Sequence, residues 1–302
     1  MGYCIEPGEP LGPAIKRIAN EQIERAMVEV NNAAEDRNHA IHQVRKHCKK
    51  LRGLLRLVRP GIDFYKGENR AFRDAARPLS EARDWEAMAE TYDMVMDHYE
   101  DEVERSDFAH IRRALTIEKQ NIVNTDEMGE RLCAFHAKMV DTQQRVEDWS
   151  LEKSPGKSIQ KGVAKTYGRA TNAMAAAYDD PTPDRFHQWR KRAKYHWYHA
   201  RLLEELWPAM VKPYRREVKQ VSSALGDHHD LAILAGKLNS EPELFGGGHD
   251  VEQLAKLADD MRANIEHELR CRGRRLFAFK PKQVGKLARR TFEGNVHDLV
   301  VA

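Results

Sequence analysis

Two segments of the sequence concentrate lysine and arginine at helical spacing and contain no acidic residue. Residues 42–59 hold seven such bases, and residues 185–203 hold six. On a helix, side chains three or four positions apart lie roughly 5–6 Å from one another on one face. A row of cations at that interval on a rigid support is suited to binding a linear polyanion, because it can meet successive negative charges along the ligand.

Charge is sorted along the chain rather than mixed. The 302 residues carry 50 Lys and Arg against 47 Asp and Glu, a net charge of +3, yet residues 81–107 hold eleven acids and only two arginines. Such a chain can attract a polyanion locally while it stays nearly neutral overall.

The apolar pattern places both basic segments on helices. In the first segment, apolar residues recur in steps of three and four: Ile41, Val44, Cys48, Leu51, Leu55 and Val58. The cations repeat those steps one position later: His42, Arg45, Lys49, Arg52, Arg56 and Arg59. One residue turns a helix by about 100°, so the basic stripe lies beside the core stripe and runs roughly 21 Å from His42 to Arg56. The second segment has the same design, with a basic stripe of His187, Arg190, Lys194 and Arg201.

An internal repeat links the two segments. An offset of 145 aligns HQVRKHCK (42–49) with HQWRKRAK (187–194), and an offset of 146 aligns LSEARDWEAMA (79–89) with LGDHHDLAILA (225–235). The chain therefore reads as a tandem duplication, with its seam in SLEKSPGKS (150–158), where Ser, Pro and Gly interrupt the helical pattern.

Every long segment between turn signals favours helix, and the predicted fold is all-α. We expect four helices in each half: 11–34, 39–59, 68–106 (with a break), 108–149, 157–178, 184–206, 211–239 and 249–275. The predicted architecture is two four-helix bundles, residues 1–152 and 153–302, related by a pseudo-twofold axis and forming one functional module. If the duplicated stripes face each other across that axis, they line one shared groove or channel.

These motifs resemble the CHAD domain, a helical family named for its conserved histidines. The resemblance rests on HxxRxxxKxxR at 42–52, HxxRKxxK at 187–194 and LGDHHD at 225–230, and it covers nearly the whole chain. It implies a pair of four-helix bundles, a basic surface that binds inorganic polyphosphate, and association with polyphosphate granules. The sequence departs from the family pattern at Trp197, where an Arg is frequent, and at Lys49 and Lys50, where an Arg pair is common.

The resemblance also implies a set of ligand contacts. Carried over by position, they are His42, Arg45, Lys49, Arg52, Arg56, His187, Arg190, Lys194 and Tyr198, to which the second stripe adds Arg201. Further cations could line the same groove or be plain solvated surface: Lys16, Lys50, Lys161, Lys165 and Arg169. Residues at helix starts are expected to orient the bases through ion pairs: Arg83, Asp84, Asp227, His228, His229 and Asp230.

Other histidines and the tryptophans are expected to pack rather than bind. The histidines placed on flanks or in the core are His47, His196 and His199, and the tryptophans expected in the bundle core are Trp189, Trp197 and Trp207.

Cations this close repel one another, so a bound polyanion should stabilise the protein. A histidine with an ordinary pKa near 6.5 can gain a proton beside phosphate, which predicts tighter binding below about pH 7.

Two alternatives of other classes remain open. Two Asp and two His in DHHD (227–230) could hold a divalent metal for phosphohydrolase chemistry, although adjacent residues point around a helix in different directions. A single-strand nucleic-acid or general polyanion binder would use the same cations, but it would also interleave aromatics for base stacking, which the first stripe lacks. A nucleic-acid partner is therefore disfavoured, and no cofactor, metal or catalytic residue is predicted.

The remaining composition predicts a cytoplasmic protein with no membrane partner. No apolar run approaches the roughly 18–20 residues that span a bilayer. The four cysteines form no CxxC pair, so neither a disulfide framework nor a zinc site is indicated, and we expect mostly buried, reduced thiols: Cys4, Cys48, Cys133 and Cys271.

Overall fold

The protein is all helical over the part of the chain that the structure describes. A computed structural model describes residues 2–297 and contains no strand among them. The α-helices are α1 (Leu11–Asn31), α2 (Arg37–Val58), α3 (Tyr65–Ala76), α4 (Ser80–His98), α5 (Ala109–Val123), α6 (Asp126–Val146), α7 (Pro155–Asp179), α8 (Pro183–Leu202), α9 (Pro208–Ser240), α10 (His249–Leu276) and α11 (Pro281–His297). The predicted all-α class is confirmed.

The helices differ from the prediction at two places, whereas the expected break in the segment 68–106 is confirmed. The segment 68–106 breaks into α3 and α4 at the 3₁₀ turn Arg77–Leu79, because Pro78 lacks the N–H that would continue the helix. The segment 108–149 is two helices, since Thr125 begins α6 by accepting a hydrogen bond from the Met128 N–H at 3.2 Å. The helix α11 was not predicted.

Both basic helices begin at a side-chain cap. Asp36 accepts from the His39 N–H at 2.9 Å at the start of α2, and Thr182 accepts from the Arg185 N–H at 3.3 Å before Pro183 at the start of α8. These caps satisfy N–H groups that have no partner inside the helix, so they determine where each stripe starts.

One hydrophobic core draws on both predicted halves. It joins α4 and α5 to the C-terminal part of α9 and the N-terminal part of α10, with Tyr92 and Leu115 in the same cluster as Leu234 and Leu254. The division at residue 152 and the pseudo-twofold axis stay predictions, and the packing itself crosses that boundary.

Small residues let α2 approach α7 and α8 closely. A Cβ added to Gly53 would lie 2.9 Å from the Tyr198 Cβ, and one added to Gly162 of α7 would overlap the Leu57 carbonyl. The carbonyl oxygen of Gly53 lies 3.2 Å from the Nε2 of His199. Only glycine permits these backbones to pack at such distances, so α2 crosses α8 at Gly53.

The packing residues are partly as expected. His47, His196 and His199 are buried, which confirms their placement, and Trp189 is buried while Trp197 is half-buried. The prediction for Trp207 is wrong: its side chain is 46% exposed because the residue lies outside the helices, between a 3₁₀ turn and the start of α9.

Two further expectations concern thiols and membranes. All four cysteines are free within the described residues, but Cys133 and Cys271 are exposed, so the expectation that most are buried is wrong. Within residues 2–297, no helix combines the length and the apolar character that crossing a membrane requires.

Candidate polyanion-binding groove

Four helices surround the point where the two basic stripes meet. The helix α2 packs on α8 and α4, α8 packs on α9, and α4 packs on α9. Between them lies Lys49, an exposed residue of α2 whose ammonium is close to cations of both stripes. Desolvation, together with repulsion from Arg45, Arg190 and Lys194, lowers the pKa of Lys49 to about 7. Cations of both stripes therefore act on one another, and we call the surface shared by Arg45, Lys49, Arg190 and Lys194 the basic groove.

Arg45 is held by the end of α3 and the start of α4. Its NH1 donates to the carbonyl oxygen of Ala76 at 3.2 Å and to the hydroxyl of Ser80. Burial lowers the pKa of Arg45, and the nearby carboxylate of Asp84 opposes that shift. Its buried Nε has no hydrogen-bond partner within the described part of the chain. The guanidinium is thus fixed in orientation while one donor stays unused.

Arg190 is held against α9 instead. A Cβ on Gly226 would lie 3.7 Å from the Arg190 Nε and 3.9 Å from its NH2, so the glycine gives the guanidinium room beside the helix. Burial raises the pKa of both Asp227 and Asp230, and Arg190 opposes the rise in each. Both carboxylates therefore act on Arg190 through their charge, and their role in orienting it through ion pairs stays a prediction.

Arg52 and Arg56 extend the cationic surface along α2 and share one acceptor. The Oδ1 of Asn69 on α3 accepts from the Arg52 Nε at 3.3 Å and from the Arg56 NH1 at 2.8 Å. The Arg56 guanidinium also lies 3.8 Å from the centre of the Tyr195 ring, within cation–π range. Sequence reasoning missed Asn69, since nothing in its local pattern connects α3 with the stripe.

Lys194 and Arg201 lie against aromatic rings. The Lys194 ammonium is 4.3 Å from the centre of the Trp197 ring, and burial, Arg190 and Lys219 lower the pKa of this lysine to about 8. The Arg201 guanidinium lies 5.9 Å from the same ring. Trp197, which replaces a cation of the family pattern, therefore supports two cations of the second stripe.

Tyr198 is placed in the core rather than on an open surface. Its side chain is 2% exposed and packs on Gly53 and on the ring of Tyr3, 5.8 Å away between centroids. The residue stabilises the crossing of α2 and α8, and its predicted role as a ligand contact stays a prediction.

The predicted site histidines are neutral in the empty protein at pH 7. The rings of His187 and His229 lie 3.9 Å apart. Burial and the adjacent cations lower the pKa of His187 to about 4, and burial and His187 lower that of His229 to about 3. Burial, Arg83 and Lys49 also lower the pKa of His42.

Arg83 lies at the start of α4 and has an ion pair on its own helix. Its NH2 donates to the Oε2 of Glu90 at 2.7 Å, and its charge also acts on Lys49 and Asp230. The role of Arg83 and Asp84 in orienting the basic side chains stays a prediction.

The additional cations do not form one set. Lys16 donates to the Glu147 carbonyl at the end of α6, and Lys161 lines a separate cavity of about 250 Å³ beside Lys157. Lys50 is 6% exposed, and burial and Arg201 lower its pKa to about 8.

Arg169 and Lys165 lie on the α7 side. Arg169 repels Arg192, as does Arg59, so these three cations extend the positive surface beyond Arg56. Lys165 is exposed.

The four residues of DHHD (227–230) lie in different environments. His228 is fully buried, stacked on Phe186 at 4.4 Å, with its Nε2 2.7 Å from the Glu266 Oε1, whereas His229 faces His187. Within the described residues, no group of three or more His, Cys, Asp or Glu is arranged to hold a metal ion. The four side chains point in different directions because they lie on one continuous helix, α9.

The comparisons with known proteins agree on one family and one fold. A family model described as CHAD domain matches residues 17–239. Two uncharacterized proteins of Mycobacterium tuberculosis, MT2285 of strain CDC 1551 / Oshkosh and Rv2226 of strain ATCC 25618 / H37Rv, are each 25% identical over 293 residues. These matches take in 88% of this chain and 56% of each relative, so the chain spans about half the length of these relatives. The crystal structure of the CHAD domain from the plant Ricinus communis is similar with a TM-score of 0.55 and 16% identity, over 97% of this chain and 94% of that one.

Proposed function

Because the chain belongs to the CHAD domain family, which is associated with polyphosphate, we propose that it binds inorganic polyphosphate in the basic groove without catalysis. The observation that carries the proposal is the environment of Lys49. Its pKa falls to about 7, first through desolvation and then through repulsion from Arg45, Arg190, Lys194 and Arg83, four cations on three different helices. A linear polyanion would relieve this repulsion and return Lys49 to its charged form.

The fixed orientation of the arginines supports binding to phosphate oxygens. Arg45 is held by Ala76 and Ser80, and Arg56 by Asn69, before any ligand arrives. A guanidinium that is already oriented loses less side-chain entropy when it forms bidentate bonds to phosphate. The α2 stripe is roughly 21 Å long, so it could contact several successive phosphates.

The decisive experiment is calorimetric titration with polyphosphate of defined length. Arg45→Gln combined with Arg190→Gln removes one guanidinium from each side of the groove. We expect affinity to fall about 100-fold, since each charge-assisted hydrogen bond contributes roughly 1.5–3 kcal/mol. A matched double variant, Arg105→Gln with Arg113→Gln, removes the same charge at two exposed positions that do not belong to either stripe.

The control variant distinguishes binding at a specific site from general electrostatic attraction of the polyanion. We expect the Arg105 and Arg113 double variant to bind within about twofold of the parent, because exposed charges contribute little. Equal losses in the two doubles, with helicity unchanged in both, would show that net charge rather than the basic groove attracts the ligand.

Metal-dependent phosphohydrolysis is the alternative of an enzymatic class. The arrangement of Asp227 and Asp230 around Arg190 supports an orienting role for these carboxylates instead. Phosphate release from long-chain polyphosphate, measured with and without Mg²⁺ or Mn²⁺, tests the proposal that no catalysis occurs. Metal-dependent release by the purified chain would contradict it.

Binding of single-stranded nucleic acid is the third candidate. The aromatic rings that could stack on bases, Tyr195 and Trp197, each already have a cation against one face, Arg56 and Lys194. We therefore expect polyphosphate to displace single-stranded RNA at a much lower concentration per phosphate. Equal displacement would favour a general polyanion binder.

The proposal also includes a location. A polyphosphate binder of this kind would be cytoplasmic and associated with polyphosphate granules, and fluorescence microscopy of a labelled chain beside stained granules would test that expectation.

A further inference from the structure

An apolar cavity lies on a different part of the molecule, between α7, α8, α9 and α11. Its volume is about 420 Å³, and each helix contributes apolar side chains, among them Val163, Ala200, Val211 and Ala288. That volume falls in the range of cavities that bind small molecules, roughly 300–1,000 Å³.

Four polar residues line the cavity, His196, Tyr214, Gln283 and Thr291, and the first two are bonded to each other. His196 is 2% exposed, and its Nε2 lies 2.6 Å from the hydroxyl of Tyr214. Burial lowers the pKa of His196 to about 4 and raises that of Tyr214, so both are uncharged at pH 7. An anion buried at this depth would meet no cation, because the cavity wall contains no Lys or Arg. The interior therefore favours a hydrocarbon.

Large apolar side chains at the cavity are open to solvent. Phe279 is 63% exposed and Leu287 is 44% exposed, and both line it. Exposed apolar side chains grouped at a cavity are typical of a binding surface rather than of a monomer's ordinary exterior.

The chain around these residues is strongly basic. Residues 270–290 hold nine Lys and Arg and no acid, a third basic segment that the proposed polyphosphate site does not use. Lys280 directly follows Phe279, while Lys286 and Arg290 lie within one helical turn of Leu287, and all three are exposed. Three exposed cations therefore lie within three positions of the exposed apolar residues that line the cavity.

We propose that this cavity binds a single-chain amphiphile with an anionic headgroup, its hydrocarbon tail between α9 and α11 and its headgroup among Lys280, Lys286 and Arg290. The neutral interior accepts the tail, and the cations at the mouth complement the charge. This site is separate from the basic groove and does not depend on polyphosphate binding.

Calorimetry with dodecanoate, below the concentration at which it forms micelles, tests the site in the full chain. Dodecanoate should bind with one molecule per chain, whereas butyrate, which has the charge without the tail, should not. Filling the cavity with Ala288→Phe should weaken dodecanoate binding at least about tenfold, since several methylene groups lose their contacts. Polyphosphate affinity should not change in this variant.

Two further variants distinguish the contribution of the headgroup charge to binding from that of the hydrocarbon tail. Lys286→Gln with Arg290→Gln should weaken dodecanoate about three- to tenfold but leave dodecanol unaffected, because only the headgroup loses contacts. If Ala288→Phe does not fold, Leu287→Glu replaces it in the test, because a glutamate at this exposed position puts a negative charge at the cavity mouth. It should weaken dodecanoate more than dodecanol.

Three results would overturn the proposal. They are the absence of saturable dodecanoate binding to the parent, unchanged dodecanoate binding in folded Ala288→Phe or Leu287→Glu, and an equal loss for dodecanol and dodecanoate in the lysine and arginine double variant. The Arg105→Gln and Arg113→Gln double variant serves again as the charge-matched control and should bind dodecanoate as the parent does.

Discussion

At the scale of single residues, the central feature is a lysine whose charge depends on its surroundings near neutral pH. Desolvation and the cations Arg45, Arg190 and Lys194 lower the pKa of Lys49 to about 7, whereas an ordinary lysine has a pKa near 10.4. Between these values the folded, empty protein holds Lys49 neutral, while the unfolded chain holds it protonated. The stability of the empty protein therefore rises with pH across this range.

Polyphosphate binding should weaken as pH rises from 7 to 9. A bound polyanion favours the charged form of Lys49, so binding above pH 7 must take up a proton, and proton uptake becomes harder at higher pH. The variant Lys49→Arg stays charged from pH 7 to 9, so its affinity for polyphosphate should depend less on pH. Calorimetry in buffers of different ionisation enthalpy measures the proton uptake directly. Equal apparent heats in all buffers at pH 8 would contradict this assignment.

The histidines have a smaller part in this pH range than the sequence predicted. The pKa of His187 is about 4 and that of His229 about 3 in the empty groove. Binding that tightens below pH 7 stays a prediction, but the structure attributes titration near neutrality to Lys49 and, with a pKa of about 8, to Lys194.

At the scale of helices, the relative placement of α2 and α8 decides whether the two stripes form one surface. The crossing depends on Gly53, whose backbone packs directly against Tyr198 and His199. The helix α2 also packs on α7, where Gly162 contacts Leu57. Two contacts that require glycine therefore position α2 against helices from the second half of the chain.

Gly53→Ala should reduce both stability and polyphosphate affinity although Gly53 carries no side chain to bind with. Its Cβ would lie 2.9 Å from the Tyr198 Cβ, so the helices must separate, at a cost of about 1–3 kcal/mol. In the control Gly129→Ala on α6, the added Cβ has no atom within 4 Å, and the variant should be neutral or slightly more stable. Urea denaturation and calorimetry measure the two effects, and a Gly53→Ala protein as stable as the parent would refute the role of this contact.

At the scale of the whole molecule, local charge matters more than net charge. A net charge of only +3 cannot by itself attract a polyanion strongly, whereas the basic groove and the residues 270–290 each concentrate cations in a small area. These two regions are proposed to bind different ligands, since one is lined by oriented cations and the other opens into an apolar cavity.

Saturating polyphosphate should raise the melting temperature. At a free ligand concentration 100 times Kd, linkage stabilises the folded state by about 2.7 kcal/mol, or roughly 5 °C for a chain of this size. The shift should shrink as salt increases from 50 to 500 mM, because phosphate contacts are screened. Differential scanning calorimetry across this salt series tests it; a shift that does not change with salt would indicate contacts other than ion pairs.

The sequence by itself determined the helices and the composition of each stripe. The spacing of Arg45, Lys49 and Arg52 relative to Val44 and Cys48 is a property of one helix, so periodicity alone predicts which side chains share a face. The all-α class follows from the same local pattern. The helix α11 was missed although its apolar residues follow a helical period.

Only the tertiary structure decided which distant residues meet the stripes. Arg56 contacts Asn69 and Tyr195, and Arg190 lies beside Gly226, all on other helices. Neither the types of these residues nor their spacing in the sequence predicts these contacts. Solvent exposure was likewise decided by packing, as Trp207 shows. The pKa of Lys49 depends on desolvation and on Arg190 and Lys194 of a distant helix as well as on Arg45 of its own, and a pattern within one helix predicts only the last of these.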